Sequence, residues 1–266
     1  GVLVALLIAM PSLLLPMSAT ESPEVVVFMA LLAGLLTFAE YFSSFPSFVE
    51  FREAPPLNRM RFAACFVMVG CLSLLVRHPV DPTSLSSLVL GFGQYLGAGL
   101  EFSYSPVQLA VLMMPDSTSV SDLHMVRNAA GLTYALGAVA MLCFGLAIRI
   151  GHWPVGNGAF NVWINLPLFD PTTGGDVVTR LQRDGRVNII LGILLPFAIP
   201  AVIKLSSGFM DLTLLTSPQV LIWGLLGWAF VPASLVMRGM AMLRIAELIA
   251  EKRKAAYASA QALQAA

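Results

Sequence analysis

AAGLTYALGAVAMLCFGLAI, residues 129–148, is twenty consecutive residues without a charge. A helix needs about that length to cross a hydrocarbon layer roughly 30 Å thick. Around it lies a chain of 266 residues that is 58% hydrophobic and only 11% charged. A soluble domain of this size carries about a quarter charged residues. The deficit excludes an ordinary water-soluble enzyme and a disordered tail. Fifteen Lys and Arg stand against fifteen Asp and Glu, so there is no basic surplus for a nucleic acid. The expected fold is all-α, a polytopic transmembrane bundle of six or seven spans forming one integral membrane domain over residues 1–266.

Working outward from 129–148, the same reading finds further apolar runs. Residues 2–17 form a short or kinked span, because Pro11 and Pro16 interrupt it. The chain opens on Gly1 rather than Met, so further residues are expected upstream, and the run lacks the basic segment of a signal peptide. A polar break at 19–24 precedes a span at 25–42, and a loop at 43–61 holds Glu50, Arg52, Glu53, Arg59 and Arg61. The span at 62–76 is short, and Arg61 and Arg77 can snorkel at its two ends. Later runs occupy 187–203, with Pro196 and Pro200, and 220–236.

Residues 85–114 decide the topology. A glycine-rich run, GFGQYLGAG at 91–99, is interrupted by EFSYSP at 101–106 before a second apolar piece. The stretch is either a span with a surface segment or a re-entrant, broken helix. Basic residues discriminate, since they concentrate on the cytoplasmic side. One net crossing gives a split of ten to five, and no net crossing gives twelve to three. The even count is favoured, with both termini cytoplasmic, as in a bacterial inner membrane.

Charge at hydrocarbon depth costs roughly 2.5–3.5 kcal/mol on insertion scales, so intramembrane acids are functional candidates. Two qualify. Glu101, with Gln94 and Tyr104, could line a transport path in a broken helix, and Glu40 near the end of its span is the second. The alternative places both at the interface, solvated or paired with arginine. Gly93 and Gly97 form a GxxxG spacing suited to close helix packing in lipid. No strand precedes these glycines and no P-loop lysine follows, so they do not read as a nucleotide site.

No cofactor is expected. His78, His124 and His152 all fall at span ends, without the facing pair that a membrane haem requires. Cys65, Cys71 and Cys143 are an odd number inside apolar runs, which reads as packing rather than disulfides or metal. GxSxG and HExxH are both missing.

The loop at 152–186 is the most distinctive sequence. Asp170–Pro171 and Gly174–Gly175 signal turns, and Asp176 opens an amphipathic helix in which Asp176–Arg180 and Arg180–Asp184 are i,i+4 pairs. With Arg183 and Arg186 it offers an edge for anionic lipid, a partner subunit, or a lipid-linked substrate. The tail at 237–266 is rich in helix formers and carries a basic stop signal at Lys252, Arg253 and Lys254. Three functions follow as expectations. The first is a non-catalytic subunit or assembly factor, with the bilayer and other membrane subunits as partners. The others are a small-solute or ion transporter built around Glu101 and an enzyme acting on a lipid-linked substrate.

Overall fold

The apolar runs become helices whose ends coincide with caps and prolines. The computed structural model describes residues 1–16, 23–151, 153–154, 161–169, 174–206 and 217–265. In chain order these hold α1 (Val2–Leu14), α2 (Pro23–Phe42), α3 (Leu57–Arg77), α4 (Ser84–Leu100), α5 (Pro106–Leu112), α6 (Val120–Ile150), α7 (Val162–Asn165), α8 (Val177–Leu205) and α9 (Pro218–Ala265). There is no strand among the described residues. Five helices, α2, α3, α6, α8 and α9, are long and apolar enough to cross a membrane, and α1 is a shorter apolar helix beside them. The protein is an all-α, membrane-spanning helical bundle.

Two clusters of contacts define its ends. At the loop end, Phe51, Ala54 and Leu57 pack with Phe144, Trp153, Leu166, Phe169, Leu181 and Met237 in one buried core. The Trp153 ring meets Phe51 at 5.9 Å and Phe144 at 5.3 Å between centroids. At the opposite end, Val76, Pro79, Asp122, Val126 and Pro218 line one small cavity, and His78 Nδ1 lies 2.9 Å from Ser86 Oγ. Lys204, in the last turn of α8, donates to the Met114 carbonyl at 3.2 Å and pairs with Asp116 at 3.1 Å.

Those contacts place both the start of α4 and the end of α5 at the opposite end. The pair α4–α5 therefore starts and finishes at the same end of the bundle. The break between them is built locally. Ser105 caps α5 by accepting from the Gln108 N–H, and Pro106 takes the first helical position, where no N–H is missed. Tyr104 sits at φ 64° with its N–H bound to Gln108 Oε1.

Two expected boundaries move. The short span at 62–76 is α3, which starts at Leu57 and reaches 21 residues; the added residues include Asn58, Arg59 and Arg61, so the uncharged core still lies between Arg61 and Arg77. The amphipathic helix expected at 176–186 is no separate loop element. It is the first third of α8, which runs unbroken into the apolar 187–203. The reason is packing, because Leu181 and Gly185 bury against α9 instead of facing lipid headgroups.

The α8–α9 pair is the most extensive contact in the bundle. A Cβ at Gly239 would lie 2.5 Å from the Gly185 carbonyl oxygen, and one at Gly192 would lie 2.6 Å from that of Pro232. These close points are seven residues apart on each helix, the spacing of a left-handed supercoil. Pro200 lacks the N–H that would reach the Pro196 carbonyl four residues back. Trp228 Nε1 donates to that carbonyl at 2.9 Å instead, so α9 supplies what α8 lacks.

Candidate functional site

Residues 101–106 join α4 to α5, which positions Glu101 at the C-cap of α4. Its carboxylate stands 3.7 Å from Arg127 Nη1, a loose ion pair about one-third exposed. Arg127 also reaches Asn128 Oδ1, and Asn128 is buried beneath Gly93 and Gly97. Gln94 is exposed and Tyr104 is 83% exposed. Glu101, Gln94 and Tyr104 therefore share no enclosed cavity.

Gly93 and Gly97 lie against α6. A Cβ at Gly97 would sit 3.0 Å from the Arg127 carbonyl oxygen, and one at Gly131 would sit 2.5 Å from the Gly97 Cα. Gly131 is the tighter position, and its place in an ordinary apolar run hid it. Gly185, Gly192 and Gly239 escaped as well, although the seven-residue spacing of the first two was readable.

Glu40 is buried and faces inward along its own chain. It accepts from the backbone N–H groups of Ser47, Phe48 and Val49 at 3.0–3.1 Å, while Arg52 Nη1 donates to the Glu40 carbonyl at 2.9 Å. Four ligand-like donors thus serve to fold residues 43–53 back onto α2. Glu50, in the same loop, pairs with Arg238 of α9. The Arg238 Nε and Nη2 reach the two Glu50 oxygens at 2.5 and 2.7 Å. The same loop is stitched to α7, with Glu53 N–H donating to Asn165 Oδ1 at 3.0 Å.

On the α8 side, Asp176 is the N-cap. It accepts from the Thr179 N–H at 3.1 Å, and its other oxygen meets Arg253 Nη1 at 2.5 Å. The capping geometry turns the carboxylate toward its own first turn and the α9 tail, so the expected pairing with Arg180 is replaced by Arg253. The Arg253 guanidinium, then the Thr179 N–H, hold the Asp176 carboxyl below its ordinary value. Arg180 lies over the Phe169 ring at 4.6 Å. Asp184 pairs with its neighbour Arg183 at 3.2 Å, and Arg183 and Arg186 are exposed. The turn signal at Asp170–Pro171, and His152, lie outside the described residues.

Among the described residues no three His, Cys, Asp or Glu side chains converge as metal ligands, and all three cysteines are free thiols. Beyond Ala250, residues 251–264 of α9 are exposed on every face, with Arg253 reaching back to Asp176. At 1.5 Å per residue the 48-residue helix is about 72 Å long, more than twice the hydrocarbon thickness. Comparison with protein families, curated proteins and solved structures finds no match to this chain.

Proposed function

We propose that this chain is a non-catalytic subunit or assembly factor of a larger complex in a bacterial inner membrane, with both termini cytoplasmic. The observation that carries the reading is the far end of α9, residues 251–264, fourteen residues of continuous helix that are exposed on every face and tied to the bundle through the Arg253–Asp176 pair. A single helix of that length is marginal in water, and packing on a second protein is the usual source of its stability. The exposed apolar face of α2, including Val27, Phe28, Leu31 and Leu35, offers a second surface to lipid or a neighbouring subunit.

Orientation is supported by charge. Arg52, Arg59 and Arg61, Arg149 at the end of α6, Arg180, Arg183 and Arg186 at the start of α8, and the basic residues of α9 fall at or beyond the loop end. Arg77, Arg127 and Lys204 are left for the other. That bias favours a cytoplasmic loop end. The transport reading depends on Glu101, whose pairing with Arg127 and open surroundings give it little support.

Truncation after Ala250 tests the proposal. Native mass measurement in mild detergent should find the full chain in a hetero-oligomer and the truncated chain alone, with unchanged helicity in the remaining bundle. A full-length chain that is always monomeric overturns it.

A further inference from the structure

Helices α6 and α8 both lean on α9, and they leave a crease along it that opens sideways toward lipid. Its lower part is a cavity of about 620 Å³ lined by Leu142, Gly145, Leu146 and Arg149 of α6 and by Leu243 and Arg244 of α9. At Met141 this meets a second cavity of about 230 Å³, which reaches Tyr134, Gly192 and Phe197. Arg149 to Tyr134 is fifteen residues of helix, about 22 Å. An acyl chain of one leaflet needs about 15 Å to reach the bilayer midplane.

The mouth of the crease carries charge. Arg149 directly follows the uncharged run 129–148, so its guanidinium stands at the boundary of the hydrocarbon. It is exposed and has no ion-pair or hydrogen-bond partner among the described residues. Arg244, facing it from α9, uses Nη1 on Glu247 at 3.2 Å and Nε on the Trp153 carbonyl at 3.4 Å, which leaves Nη2 uncommitted. Glu247 is the acid on the rim of the same cavity.

We infer that this crease binds one aminophospholipid, with its phosphate on Arg149 and Arg244, its ammonium on Glu247 and one acyl chain along Leu142 and Leu146. Each part of the ligand answers a part of the site. A guanidinium pairs with phosphate through paired N–H donors. A primary amine gives Glu247 a second cation, which a choline head cannot do by hydrogen bonding and an anionic glycerol head cannot do at all. The apolar floor accepts a chain and nothing polar. The site stands whether or not α9 docks on another protein.

Native mass spectrometry of the full chain, with phosphatidylethanolamine, phosphatidylglycerol and phosphatidylcholine of identical acyl chains, tests this. The ethanolamine lipid should be retained at least fivefold better than either competitor. Arg149→Gln should lower that retention at least fivefold, and since Arg149 is exposed and pairs with none of the described residues the variant keeps its fold. Leu146→Trp should give the same loss by filling the crease without touching a charge. Glu247→Gln should abolish the preference for the ethanolamine head. Equal retention of the three lipids by the unaltered chain, preference for phosphatidylglycerol, or an Arg149→Gln chain that holds lipid as well as the parent each overturns the inference.

Discussion

Glu50 and Arg238 are 188 positions apart and meet in a bidentate pair of 2.5 and 2.7 Å, with the Glu50 side chain only 7% exposed. This pair ties the α2–α3 connection to the middle of α9. Removing Glu50 leaves Arg238, 24% exposed, without its counter-charge, at a cost of about 1–3 kcal/mol. Glu50→Ala is therefore expected to lower the Tm in detergent strongly. The double variant Glu50→Leu with Arg238→Met should recover most of the loss, because no buried charge remains. A double variant as unstable as Glu50→Ala refutes the pairing as the cause.

The Trp228–Pro196 hydrogen bond gives a second reciprocal test. Trp228→Phe strands the Pro196 carbonyl and should cost about 1–3 kcal/mol. Pro200→Ala restores the helical N–H that this carbonyl lacks, so Trp228→Phe should be much milder in that background. Thermal unfolding of the four chains measures the coupling, and strictly additive effects contradict it.

Two glycines on neighbouring helices should respond with opposite sign. A Cβ at Gly131 would collide with the Gly97 backbone at 2.5 Å, whereas one at Gly91 has nothing within 4 Å. Gly131→Ala should destabilise by about 1–3 kcal/mol through overpacking. Gly91→Ala should leave stability unchanged or raise it by up to about 1 kcal/mol through helix propensity. The comparison is read from Tm values, and equal effects would mean that α4 and α6 are not in close contact.

Acid should release the α9 tail from the start of α8. The Asp176 carboxyl is held below its ordinary value in the folded chain, chiefly by Arg253. A depressed folded pKa contributes stabilisation that is full above the unfolded value, about 3.9 for Asp. That contribution is lost as the pH falls through the lower folded value. A spin-label distance between Gln182 and Tyr257 should hold constant from neutral pH to about pH 4 and broaden below it. Asp176→Asn should broaden the distance at pH 7, and an unchanged distance in that variant removes the pair from tail docking.

What could be read from the sequence was what hydrocarbon imposes locally. The run at 129–148 needs no tertiary information, because a chain that long and uncharged has one favourable environment. The interruption at Glu101–Pro106 was equally legible, since a proline and a serine cap end a helix wherever it packs. The arginine count favoured the even topology by electrostatics alone, and the contacts of Ser86 and Lys204 put the two ends of the α4–α5 stretch at one end of the bundle. Partners of charges were different. Local spacing proposed Arg180 for Asp176 and offered no distant partner for Glu50. In the fold α9 supplies both, through Arg253 and Arg238, because a 48-residue helix passes every one of those acids. Close helix approaches were read where glycines repeat at four, as at Gly93 and Gly97. They were missed where the repeat is seven, as at Gly185 and Gly192.

The return of α4 and α5 to the end of the bundle at which they start makes the 29 residues from Ser84 to Leu112 neutral in parity. Helices α6, α8 and α9 keep their direction whatever the depth of that hairpin, so its insertion need not be settled when the later helices are threaded. A chain lacking residues 84–112 would still carry every remaining arginine on the same face of the membrane.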